Sequence, residues 1–185
     1  MIRRIMPLAL LGILFSLWLF GDQLWPAETV SGTSATIRDG DTLVISNQTF
    51  RLFGMDAPEF HQSCTDAQGK DWPCGKIART LLAAFAARAA VTCEVHAQDK
   101  YNRSVATCGT GAVPDLSAAM VSAGLAISPA ERGAAPYADE EANARVARKG
   151  IWQGPFVAPA VWRETHPRAQ PVSGSVSNKP KAGND

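Results

Sequence analysis

The sequence predicts a small α+β domain in which five short strands are interleaved with three helices. Three observations carry this. Apolar residues alternate through residues 33–53, with Ile37, Leu43, Ile45, Phe50 and Leu52 as one set. Two more strands follow in VTCEVHA and SVATC. Ala- and Leu-rich stretches of high helix propensity follow each group of strands. The order of three strands, helix, two strands and two helices suits a five-stranded OB-type Greek-key β-barrel with three α-helices.

Taken in order, TSATIRD, TLVIS and QTFRLF supply the first three strands. Asp39-Gly40-Asp41 turns between the first two, and Asn47-Gln48 turns before the third. Residues 55–73 are irregular, with Pro58, Gly69 and Pro73. A helix follows over residues 75–90, its apolar face expected at Ile77, Leu81, Leu82 and Phe85. The two later strands are joined by Asp99-Lys100-Tyr101-Asn102. Asp115 reads as the N-cap of LSAAMVSA, and Gly124 as its stop. The third helix runs from Tyr137 to Lys149 and is closed by Gly150.

A length of 185 residues accommodates one domain of ordinary size with terminal segments beside it. With 46% hydrophobic and 19% charged residues, the chain has ample material for a core and is too apolar for general disorder. Within residues 28–164 there are 13 Lys+Arg and 15 Asp+Glu, a net charge of −2. A broadly basic nucleic-acid binder is excluded, so any grip on a polyanion must come from a few placed groups and a metal. No repeat of solenoid or propeller length occurs.

Arg3 and Arg4 precede an apolar run from Ile5 to Phe20, the pattern of a signal peptide or N-terminal membrane anchor over residues 1–27. The run extends toward Trp25, so a membrane tether through residues 5–25 is expected to remain if no cleavage occurs, and no small-x-small site follows Phe20. The domain, residues 28–164, is therefore expected to be exported, to the periplasmic or extracellular face. Residues 165–185 are rich in Pro, Ser, Gly, Asn and Lys and read as a disordered tail.

Export permits disulfides, and four cysteines are an even set. If Asp99 and Asn102 flank the hairpin turn, paired positions sum to 201, as do Cys93 and Cys108. Those two then face each other on adjacent strands, leaving Cys64 and Cys74 to close the irregular loop. The alternatives are a reduced core pair at Cys93 and Cys108, or a zinc site with His61, for which the thiols lack C-x2-C spacing.

Three segments carry the chemistry: DGDT at residues 39–42, RLFGMDAPE at 51–59 and DKYNR at 99–103. Each alone is ordinary turn chemistry. Together they place carboxylates and guanidiniums at strand ends. Acidic oxygens bind a hard divalent cation, paired arginines clamp phosphate oxygens, and a spare carboxylate orients or deprotonates water. That inventory points to metal-assisted phosphodiester hydrolysis.

The ordered set, continued by PCGKIA, DLSAAMVSAGLA, EEANARVARKGIW and VWR, resembles the thermonuclease (staphylococcal nuclease-like) family over about residues 33–163. The resemblance implies calcium ligation by Asp41, Asp56 and the backbone carbonyl of Ala57, with Asp39 nearby in support. It implies phosphate binding and transition-state stabilisation by Arg51 and Arg103, with Glu59 as the general base. Lys100 and Tyr101 correspond to residues that contact the nucleotide. The implied function is a calcium-dependent nuclease, endonuclease or exonuclease, that hydrolyses single-stranded DNA and RNA to 3'-phosphorylated products, expected as a monomer. Departures include Ala57 in place of Thr, Asn102 in place of Gly, a shorter loop before Asp99 and a cysteine-bearing segment over residues 60–73. The alternative is a non-catalytic OB-fold module binding nucleic acid or protein, which has no need for three acids beside two arginines.

Overall fold

A computed structural model describes residues 28–87, 89–130 and 133–167. The segments expected to be a signal or anchor (1–27) and most of the expected tail (168–185) lie outside them. Among the described residues, six strands form one sheet in the order β1-β7-β8-β4-β3-β2. These are β1 (Thr29–Gly32), β2 (Thr36–Ile37), β3 (Thr42–Ile45), β4 (Gln48–Leu52), β7 (Val91–Gln98) and β8 (Ser104–Thr110). A small ribbon, β5 (Cys64–Thr65) and β6 (Asp71–Trp72), stands apart. The helices are α1 (Cys74–Ala86), α2 (Leu116–Ser122), α3 (Ala138–Val146) and α4 (Pro159–Thr165), with a 3-10 turn at Gly150–Gln153.

The sheet curls on itself. Although β1 lies at its far edge from β3, a side chain on Gly32 would collide with Ile45. Leu43, Ile45, Phe50, Leu52, Val91 and Ala106 fill the interior at 1% exposure or less, and Leu82, Leu116 and Met120 cover it from the helices. This is the α+β, OB-like architecture expected from the alternating strands.

Several details differ from expectation. The pairing of β4 with β8 is parallel (Phe50↔Ser104, Leu52↔Ala106), because the chain re-enters the sheet from the same end after crossing through α1. The first expected strand, TSATIRD, shrinks to the two-residue β2, and an unexpected edge strand, β1, precedes it, its burial mixed and without a clean apolar period. The β3–β4 turn is Ser46-Asn47, both at positive φ (48° and 68°), one residue before the expected position. On α1 the buried stripe is Cys74, Ala78, Leu82 and Ala86, with Leu81 and Phe85 half-buried against the core as expected, whereas Ile77 is 42% exposed. The helix ends at Ala86 and α3 at Val146, each short of its expected end. Asp115 caps α2 as expected, accepting from the Ala118 amide at 3.0 Å, and Gly124 leaves it at φ 70°.

Both disulfides of the reading are present, Cys64–Cys74 and Cys93–Cys108. Cys93 and Cys108 come opposite each other through two compensating departures from the expected register. Asp99 pairs with Arg103 and not with Asn102, which shifts the register by one, and a bulge at His96 between Val95 and Ala97 shifts it back. Cys93 and Cys108 therefore stand opposite each other, their Cα atoms 4.0 Å apart.

Candidate active site

The first carboxylate comes from the turn into β3. The amide of Arg38 bonds the Thr42 carbonyl at 3.0 Å, and the amide of Leu52 bonds the Asp41 carbonyl at 2.8 Å, fixing the DGDT segment against β4. Gly40 is needed there: a Cβ would lie 2.7 Å from that of Ala57 and 2.9 Å from that of Ala78. The turn thus presses directly on the Asp56-Ala57 segment. Asp56 is held by reciprocal backbone bonds with Ile127, both 2.9 Å. Asp41 and Asp56 are each 4% exposed.

Arg51, at the end of β4, reaches between them. It donates through Nη1 to Asp41 Oδ2 and through Nη2 to Asp56 Oδ1, the latter at 2.8 Å. The Thr42 hydroxyl donates to Asp41 Oδ1 at 2.7 Å. Burial pushes Asp41 up to about 7 against the attraction of Arg51, and neighbouring Asp39 adds to the rise. Arg51 is itself raised, Asp41 and Asp56 together outweighing its own burial.

Glu59 follows one turn later. Gln62, 1% exposed, accepts from the Glu59 amide at 3.2 Å and returns its own amide to the Glu59 carbonyl at 2.8 Å. The first turn of α1 packs on that same carbonyl, where only Gly75 leaves room. The Glu59 side chain is reached by Arg163 of α4, Nη1 to Oε1 at 3.0 Å. Arg163 also grips Asp56 with both arms, Nη1 to Oδ1 and Nη2 to Oδ2, each 2.9 Å. Asp56 and Glu59 hold the Arg163 guanidinium above its ordinary range, against its own burial.

Four of the residues anticipated from sequence, Asp41, Arg51, Asp56 and Glu59, are therefore joined in one network, with Ala57 beside them. Arg103, Lys100 and Tyr101 form a separate group in the β7–β8 turn. Asp99 accepts there from the Tyr101 and Arg103 amides at 2.9 and 3.0 Å, and from Arg103 Nε at 2.8 Å. Partial burial opposes its ionisation, yet these donors hold its carboxyl below the usual range. Asn102 adopts φ 59°, the conformation that Asn tolerates in place of Gly. Lys100 and Arg103 lie over the Tyr101 ring at 5.1 and 5.5 Å, and Tyr101 is 68% exposed. Because Arg51 pairs with Val105 across β4 and β8, Arg103 lies on the same sheet face as Arg51, two residues along.

Sequence reasoning missed Arg163 and its helix. VWR was part of the family pattern, but no role was attached to it. Pro159 at the first helical position was the available signal for α4.

The donor chemistry suits a hard cation, since Asp41 and Asp56 bring two buried carboxylates to the same guanidinium. Among the described residues, no three carboxylate, imidazole or thiol side chains converge on one point. Two guanidiniums stand between the acids instead.

A barrel of this topology, with acids and arginines gathered from the β3 turn, β4 and the loop after it, defines a nuclease-type OB protein. The staphylococcal nuclease homologue family matches residues 49–154, and the chain belongs to that family. It is also 34% identical over 128 residues to the succinoglycan biosynthesis protein ExoI of Rhizobium meliloti (strain 1021). That match covers 69% of this chain and 66% of the relative, just under two thirds of the latter's length.

Proposed function

We propose that the chain is a calcium-dependent phosphodiesterase that hydrolyses single-stranded DNA and RNA and leaves 3'-phosphorylated ends. The observation that carries this reading is the buried network of Asp41, Arg51, Asp56 and Glu59, drawn from separate segments onto one end of the barrel. Asp41, Asp56 and the Ala57 carbonyl would hold the cation, which supplies positive charge beside the phosphate when bound.

The chain's own groups do the rest. Glu59 takes a proton from the attacking water as its oxygen bonds to phosphorus. The bond from phosphorus to the 5'-oxygen breaks, that oxygen takes a proton from solvent water, and Glu59 returns its proton to solvent. Arg51 commits two N–H groups to carboxylates, and a guanidinium has five, so it can also serve phosphate oxygens. Arg103, on the same sheet face, adds a second fork, while Tyr101 offers an exposed ring to a base and Lys100 a charge to a neighbouring phosphate. These donors accelerate the reaction to the extent that they bind the transition state better than the ground state.

Two disulfides fit an oxidising compartment, and the reading places residues 28–164 outside the cytoplasm, as a monomer delivered by residues 1–27 with a tail beyond residue 164. Among the described residues no helix is long and apolar enough to cross a membrane. The test is digestion of a labelled single-stranded oligonucleotide by the full chain in Ca2+, Mg2+ or chelator, with end-group analysis. Cleavage to 3'-phosphates in Ca2+ and none in chelator is expected. Oligonucleotide binding without cleavage under any condition favours the non-catalytic module.

A further inference from the structure

Arg163 closes the VWR segment, to which the family pattern attached no role, and makes three hydrogen bonds to the two acids at the centre of the site. We propose that Arg163 is a latch on these acids: carried by α4, it pins Asp56 and Glu59 and competes with divalent cation for them. The proposal rests on the cation-dependent reading above.

The argument begins with lone pairs. A carboxylate offers about four acceptor positions. On Asp56, Oδ1 already receives Arg51 Nη2 at 2.8 Å and Arg163 Nη1 at 2.9 Å, and Oδ2 receives Arg163 Nη2 at 2.9 Å. A cation at Asp56 must share an oxygen with a guanidinium or displace one. Arg51 sits on a sheet strand between two acids and is 20% exposed, whereas Arg163 is 35% exposed on a seven-residue helix at the rim. Arg163 is thus the guanidinium that can leave at lower cost.

Charge gives the same answer. Asp56 and Glu59 bring two negative charges, and Arg163 cancels one of them at 2.9–3.0 Å. A hard cation is drawn by uncompensated negative charge, so the latch lowers the site's affinity. Removing one unit charge from beside a divalent ion is worth about tenfold in affinity even when water screens the pair. The helix is also tied to the turn that it guards. Gln62 Nε2 bonds the Val157 carbonyl at 2.6 Å, two residues before α4, while the same Gln62 braces Glu59. Release of Arg163 therefore leaves α4 hinged beside the site and able to return.

Two measurements on the full chain decide this. Calorimetric titration with Ca2+ compares the wild-type chain with Arg163→Gln, which removes the charge and the fork. The variant should bind about tenfold more tightly, an effect that damage to the fold cannot mimic. Hydrogen exchange of the wild-type chain should show residues 160–165 exchanging faster in Ca2+ than in chelator, and this stands even if the variant fails to fold. Equal or weaker binding by a folded variant, or exchange that is unchanged or slower in Ca2+, overturns the latch alone. Absence of Ca2+ binding by either protein overturns both the latch and the cation-dependent reading.

Discussion

Two aspartate–arginine pairs frame the site, and they are built in opposite ways. Asp41 and Arg51 meet in the interior across two strands, with the carboxylate side chain 6% exposed and a second acid, Asp56, sharing the guanidinium. Asp99 and Arg103 meet within one turn, four residues apart, and the same carboxylate also accepts the turn's own amides. The first pair spans the β3–β4 hairpin and is buried within the fold. The second is local and ties down a hairpin whose Tyr101 projects into solvent. On the proposed function, the buried pair would set charge at a reacting phosphate, whereas the turn would add Arg103 to it and present Tyr101 and Lys100 as a surface for the strand to settle on.

If that division is right, the largest effect comes from the buried pair. Asp41→Asn should lower kcat by about 100-fold or more on a single-stranded substrate, because one ligand of a hard-cation site is lost. The fold should survive, and its pH response should change in a defined sense. Burial pushes Asp41 from 3.8 up to about 7, so the folded state favours the proton more than the unfolded chain does. The stability this contributes is fully present below 3.8 and is lost as pH rises toward about 7. Thermal melts in chelator should therefore fall less steeply between those limits for Asp41→Asn than for the wild-type chain.

The next effect falls on the scaffold of the hairpin. Cys93 and Cys108 are 15 positions apart, and removing a bridge over such a loop costs about 3 kcal/mol on chain-entropy grounds. Replacing both by Ser should lower the denaturation midpoint of the whole domain, read by urea titration, since both lie in the core with Phe50 and Val91. The smallest effect belongs to the turn surface. Tyr101→Ala should raise KM by about tenfold, the loss of roughly 1–3 kcal/mol of base stacking, and leave kcat nearly unchanged. A fall in kcat at constant KM would place Tyr101 in the reaction and erase the division drawn here.

The same contrast explains what was legible in the sequence. Residues whose role is set within a few positions could be read directly: Asp115 as the cap of α2, Gly124 as its stop, and the alternating apolar residues of β3 and β4. The acids and arginines were legible as an ordered family pattern, although no spacing along the chain says that Arg51 bridges Asp41 and Asp56. Long-range facts were not legible. The parallel closure of β4 on β8 depends on where the chain re-enters the sheet. The bulge at His96 leaves no mark in the alternation of VTCEVHAQ, and the register came out right only because the turn was also one residue longer. Arg163 was hidden most completely, since its partners lie more than 100 positions away.

The central claim is that Arg51 acts on the reacting phosphate and does not merely attract polyanion. Arg51→Lys tests it most directly, because the charge stays while the planar fork is lost. The measurement is kcat and KM on one single-stranded oligonucleotide at fixed Ca2+ and salt. A fall in kcat of about 100-fold with KM changed by less than about threefold is the predicted result, by analogy with loss of one preorganised oxyanion donor. A raised KM with kcat intact would contradict it and make the buried network a binding device.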